Sequence, residues 1–197
     1  MRKNFKWNSY PVWILITFSL FSCKVTNKIY ETNDLVYSSK RMELKLEYNK
    51  EERKSPLISM KQSIVKEISD KETSYHVYDV LILTSYSYKL DDKVFLIIDD
   101  EVFPMSIESK EFANSREVSE KTEDIMTSDS TTMSVVTGYS EYNRKITRFS
   151  YCLPEHVISK IKSSNQILFR YYAGPDMITV QLQKRKLDKL KELINRS

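Results

Sequence analysis

Polar and apolar residues alternate with a period of two over residues 41–48. Met42, Leu44, Leu46 and Tyr48 fall on one face, and Glu43, Lys45 and Glu47 on the other. That is the pattern of a half-buried strand. Residues 57–68 fit two templates. Ile58, Met60, Ile64 and Ile68 share a strand face, but the apolar residues also cluster on a helix started by Ser55-Pro56; the strand is the preferred reading. Residues 75–90 predict the central strand, because Val80-Leu81-Ile82-Leu83 is apolar on both parities and calls for cover on both faces. Asp91-Asp92 predicts a turn into a strand over 93–99, and Asp100-Glu101 opens a further strand over 102–107, together a tight antiparallel meander. Residues 110–130 are rich in charge and have almost no apolar period, which predicts a long surface loop or a frayed edge.

Residues 131–139 and 145–153 predict another hairpin. Pro154 with Glu155 then starts a short helix near 154–163, with Val157, Ile158 and Ile161 as its buried stripe. Ala173-Gly174-Pro175-Asp176 is a turn between strands over 166–172 and 177–183. Residues 184–196 close the chain as an amphipathic helix with a stripe of Leu187, Leu190, Leu193 and Ile194. The expected fold class is α+β, mostly antiparallel β: a sheet or sandwich of hairpins covered by the two helices. Residues 41–197 form a single β-rich domain on this reading. Residues 23–40 read as a flexible tether with an r.m.s. span of roughly 20–25 Å. The alternative is that Ile29-Tyr30 or Leu35-Val36-Tyr37 dock on the domain as short edge segments.

The start of the chain changes the picture. Arg2, Lys3 and Lys6 come with no acid, residues 10–22 (YPVWILITFSLFS) are apolar, and a small residue, Ser22, precedes Cys23. This is the order of a secretory signal peptide, residues 1–22. The apolar run is 13 residues, short of the about 20 that a spanning helix needs. Leu20-Phe21-Ser22-Cys23 resembles the lipobox of bacterial lipoproteins, with Phe21 departing from the usual small residue at its place. The resemblance implies a diacylglyceryl group on the Cys23 thiol, cleavage before Cys23, and acylation of the new amino group. Three acyl chains would hold the domain on a bilayer without a spanning helix, each buried methylene adding about 0.8 kcal/mol. In such lipoproteins, acids soon after the lipidated cysteine favour the cell surface, and Asp directly after it favours inner-membrane retention. Here Lys24 follows Cys23 and the first acid is Glu31, so the expectation is an outer-membrane anchor with the domain facing the periplasm. The segments FSYCLPEHVISKI, ILFRYYAGPDMITVQL and LDKLKEL resemble the C-terminal part of uncharacterised Bacteroidetes-type lipoproteins, a likeness that implies no activity.

Composition narrows the function classes. The chain has 31 Lys and Arg against 27 Asp and Glu, and three of the cations lie in the signal peptide. The remainder is near neutral, which argues against nucleic acid as a partner. Two glycines, Gly138 and Gly174, cannot build a phosphate-cradling loop or a nucleophile elbow. His76 and His156 are isolated, and no Cys/His spacing matches a zinc motif, so no metal or cofactor is expected. With Cys23 taken by lipid, Cys152 is the one thiol left, and a buried position is expected for it.

The chemistry-bearing candidates are few. The acids Asp91-Asp92 and Asp99-Asp100-Glu101 sit at opposite ends of one strand, roughly 20 Å apart, and read as solvated turns. Cys152 and His156 lie across the Leu153-Pro154 junction, where a thiol and a base could meet. Arg170 and Tyr172 share one strand face and Tyr171 the other; Tyr86 and Tyr88 share one side of the central strand. The expectation is therefore a non-enzymatic lipoprotein whose β-rich domain binds an unknown protein or envelope component, with the membrane as its other partner. The alternatives are an envelope hydrolase using Cys152 and His156, or a structural subunit of a membrane-associated assembly.

Overall fold

The alternation that begins at Met42 becomes a strand with one dry face, and the same holds along most of the chain. The computed structural model describes residues 27–49, 55–70, 72–126 and 131–197. The signal peptide expected over 1–22 and Cys23 lie outside the described residues. The strands are β1 (Ile29–Asp34), β2 (Ser39–Asn49), β3 (Leu57–Ile68), β4 (Thr73–Thr84), β5 (Lys93–Ile98), β6 (Glu101–Ser106), β7 (Ser109–Met126), β8 (Thr132–Cys152), β9 (Ile167–Ala173) and β10 (Asp176–Gln181). The helices are α1 (Glu155–Ser163), between β8 and β9, and α2 (Lys184–Asn195), after β10. The fold is mostly antiparallel β, as the sequence predicts.

Two sheets form. A curled six-stranded sheet has the order β1-β2-β3-β4-β8-β7, and a four-stranded sheet the order β10-β9-β5-β6. Register follows the apolar alternation, since a slip of one residue would turn every side chain to the wrong face. Leu44 opposes Ile64, and Tyr48 opposes Met60, all buried. The sheets face each other through Phe149 and Tyr171, whose rings meet edge-on with centroids 5.8 Å apart. Helix α1 buries Val157, Ile158 and Ile161, and α2 buries Leu187, Leu190, Leu193 and Ile194, the stripes read from spacing alone. The β5–β6 turn places Asp99 and Asp100 at φ 44° and 73°. Two consecutive left-handed residues match a primed hairpin turn, and Asp tolerates that region better than most side chains. Gly174 has φ +59°, and a Cβ there would lie 2.6 Å from Tyr88 Cγ, so both backbone and space require glycine.

Four expectations are corrected. The tether over 23–40 is not wholly free: residues 29–34 pair with β2, Ile29 opposite Leu44, and bury Ile29. Leu35, Val36 and Tyr37 instead form the exposed β1–β2 turn. Asp91-Asp92 does not join paired strands. Strand β4 belongs to the first sheet and β5 to the second, so residues 85–92 carry the chain between layers. Residues 110–130 are not a loop over their described part, because β7 runs unbroken to Met126. The hairpin expected over 131–153 is the single strand β8, whose partner is β7. Periodicity missed this ribbon because both of its faces are wet at the distal end, so hydrogen bonds rather than apolar burial hold it.

Candidate functional site

Strand β4 reads HVYDVLIL from His76 to Leu83, and its one acid, Asp79, points inward and is 1% exposed. Gln62 Nε2 donates to Asp79 Oδ1 at 2.9 Å, and Tyr171 Oη donates to Oδ2 at 3.0 Å. Tyr48 Oη donates to Gln62 Oε1 at 3.0 Å. Tyr151 Oη is buried beside the carboxylate and, among the described residues, has no partner in good hydrogen-bond geometry, although it is close enough to act on Asp79. Burial pushes the Asp79 carboxyl up to about 7, against the downward pull of Gln62, Tyr171 and Tyr151. The network ties β2, β3 and β4 to β9 through the core. It lies inside the core and is not an accessible site.

Strand pairing builds a second cluster on the opposite face of β4. His76 opposes Cys152 in the β4–β8 register. Cys152 Sγ lies 3.1 Å from His76 Nδ1. Glu108, just before β7, donates its backbone N–H to Ser150 O at 2.9 Å. One donor atom each from His76, Glu108 and Cys152 fall within 4.8 Å of one another. Burial first, then hydrogen bonding and charge from Glu108, push the Cys152 thiol up to about 11. At neutral pH the sulfur therefore keeps its proton, the opposite of an activated nucleophile.

The Cys152–His156 pair expected from the sequence is not formed. His156 sits on the first turn of α1 and lies against the Phe103 ring, 6.0 Å between centroids. Cys152 is half-buried rather than buried. The partner that sequence distance hid is His76, which only the β4–β8 register brings near. Tyr86 and Tyr88 fall beyond the end of β4 rather than on it, and both are exposed. Arg170 and Tyr172 do share a face opposite the buried Tyr171, and the Tyr172 ring packs edge-on against Phe95. The acidic turns are structural. Asp99 accepts from the backbone N–H of Asn165 and Gln166, and Asp92 pairs with Lys110 at 2.7 Å.

The third feature is an arm. Pairing of β4 with β8 ends at Thr84 and Arg144. Beyond it, residues 116–126 and 132–143 pair only with each other, an extension of roughly 35 Å. None of these residues is buried. Arg116 with Glu141 at 2.7 Å and Ser119 with Ser140 at 2.8 Å bridge the strands. Val118, Ile125, Met126, Met133, Tyr139 and Tyr142 are exposed along it. Among the described residues no strand pairs with the outer side of β7. A single two-stranded ribbon is marginal alone in water, and a long exposed edge is a template for pairing. Sequence reading missed the arm, although the run of tyrosine, valine and serine over 134–142 is the composition of a strand pair.

Among the described residues no helix is long and apolar enough to cross a membrane. No family model, curated protein or solved structure matches the chain.

Proposed function

We propose that the chain is a lipid-anchored binding protein of the bacterial cell envelope, held at the membrane by Cys23 and engaging a protein partner through the β7–β8 arm. The anchor rests on the lipobox-like Leu20-Phe21-Ser22-Cys23 after a short apolar run. The outer membrane is the proposed residence, with the domain in the periplasm, from Lys24 after Cys23 and the late first acid Glu31.

The observation that carries the binding role is the arm itself. Its exposed Val118, Met133, Tyr139 and Tyr142 contribute nothing to the core, and among the described residues no strand pairs with its outer edge. An added strand from a partner would pair along that edge, with the aromatic and aliphatic side chains supplying area and selectivity. The hydrolase alternative joins Cys152 to His156, and His156 packs instead against the Phe103 ring, which favours the binding role. No nucleic acid is implied.

Site-specific photo-cross-linking in isolated membranes tests the reading. A cross-linker at Tyr139 or Met133 should capture a defined protein, and one at Tyr37, in the β1–β2 turn, should not. Absence of any adduct from the arm, or equal capture from all three positions, would overturn it. A stoichiometric complex that survives detergent extraction would identify the alternative, a structural subunit of a membrane-associated assembly.

A further inference from the structure

Three different donor types converge at the end of the β4–β8 ladder remote from the arm. Cys152 ends β8, His76 lies opposite it on β4, and Glu108 immediately precedes β7. Their donor atoms lie within 4.8 Å of one another, and Sγ to Nδ1 is 3.1 Å. A tetrahedral zinc ion, with bonds of about 2.3 Å to sulfur and about 2.0–2.1 Å to nitrogen, separates those two donors by about 3.6 Å. The side chains therefore need only small adjustments to close on one cation.

The backbone around them is already fixed. Leu153 N donates to Tyr75 O at 2.9 Å, which locks the end of β8 onto β4. Glu108 N donates to Ser150 O at 2.9 Å, and the Ser109 and Ser150 hydroxyls meet at 2.8 Å, which locks the start of β7 onto β8. Donors mounted on paired strands are better preorganised than donors on a loop. His76 and Cys152 are half-buried and Glu108 is exposed, so a cation has an entry path.

We propose that His76, Glu108 and Cys152 form a binding site for a zinc-class divalent cation. One thiolate, one imidazole and one carboxylate make a donor set of intermediate softness, which selects zinc-like ions over calcium or magnesium, whose sites are built from oxygens. Three protein ligands leave a fourth position for water or for a donor from a bound molecule. On binding, the Cys152 S–H bond breaks, its proton passes to solvent, and the sulfur pair forms the bond to the metal, with no change of oxidation state. The same cation offsets the charge of Glu108. It would also clamp β4, β8 and the entry to β7 together. The proposal stands apart from the binding role of the arm and does not depend on it.

The test uses the full chain purified in detergent and stripped of metal. Zinc is followed by calorimetry, and cobalt by its thiolate charge-transfer band. The expected result is saturation at one equivalent, with release of a proton and appearance of the band. Cys152→Ser should abolish the band, which also separates this thiol from Cys23. His76→Ala and Glu108→Gln should each weaken zinc binding at least about tenfold. His156→Ala should leave binding unchanged. Circular dichroism of each metal-free variant shows that the fold persists, and Glu108→Gln, at an exposed position, keeps the test decisive if His76→Ala unfolds. Failure to saturate at one equivalent, a band that survives Cys152→Ser, or full affinity in either His76→Ala or Glu108→Gln would overturn the proposal.

Discussion

Tyr171 Oη donates a hydrogen bond to Asp79 Oδ2 at 3.0 Å across the core, from the second sheet to the first. The acid sits where apolar packing alone would serve, and its cost depends on charge. Burial raises its pKa from 3.8 to about 7. The folded chain thus holds this proton more tightly than the unfolded chain does. Its contribution to stability is complete below pH about 4 and is lost as pH rises through about 7, a difference of about 4 kcal/mol. Chemical denaturation of wild type and Asp79→Asn across that range checks it. The variant should lack this part of the pH dependence and match or exceed wild type at pH 8. Parallel pH profiles for the two would refute the assignment.

Lys66 is 6% exposed and donates from Nζ to the Ile194 carbonyl at 2.8 Å and to that of Arg196. It closes the C-terminal end of α2, whose last carbonyls have no partner within the helix. Lys66→Ala should lower stability by about 1.5–3 kcal/mol, the range for hydrogen bonds to charged groups. A chain ending at Lys184 should be far worse, because it exposes the surface against which Leu187, Leu190, Leu193 and Ile194 are buried, each worth about 1.5–3 kcal/mol. Melting curves measure both, and an unchanged curve for the shortened chain would make α2 a dispensable tail.

The arm should be separable from the fold. Replacing residues 116–143 by Asn-Gly would join Ser115 to Arg144, an opposed pair that suits a two-residue turn. No residue within the described part of that span is buried, so the melting temperature should stay close to wild type while cross-linked partner is lost. A collapse of stability would show that the arm is part of the core assembly rather than a surface for another protein.

The anchor is checked by labelling. Radioactive palmitate should enter the wild type and not Cys23→Ala. Protease added to intact cells should spare the domain until the outer membrane is breached. Label in both proteins would remove the lipid from Cys23, and digestion on intact cells would place the domain outside.

The sequence alone determined whatever burial writes into local pattern. The dry face of β2, the stripes of α1 and α2, and the turn at Gly174 were legible because each buries one face against the rest, and residues 3.6 or two apart record it. The lipobox-like ending at Cys23 is likewise local. Tertiary structure decided the rest. Whether β4 pairs with β5 or hands the chain to a second sheet depends on which apolar face fits which, and residues 85–92 read the same either way. The β7–β8 arm left no apolar period, since water covers both sides and the ladder is held by bonds such as Arg116–Glu141. His76 and Cys152 are 76 positions apart in the chain and 3.1 Å apart in space. Only the antiparallel register of β4 and β8, set by the buried Val77 and Tyr151 beside them, brings imidazole and thiol together.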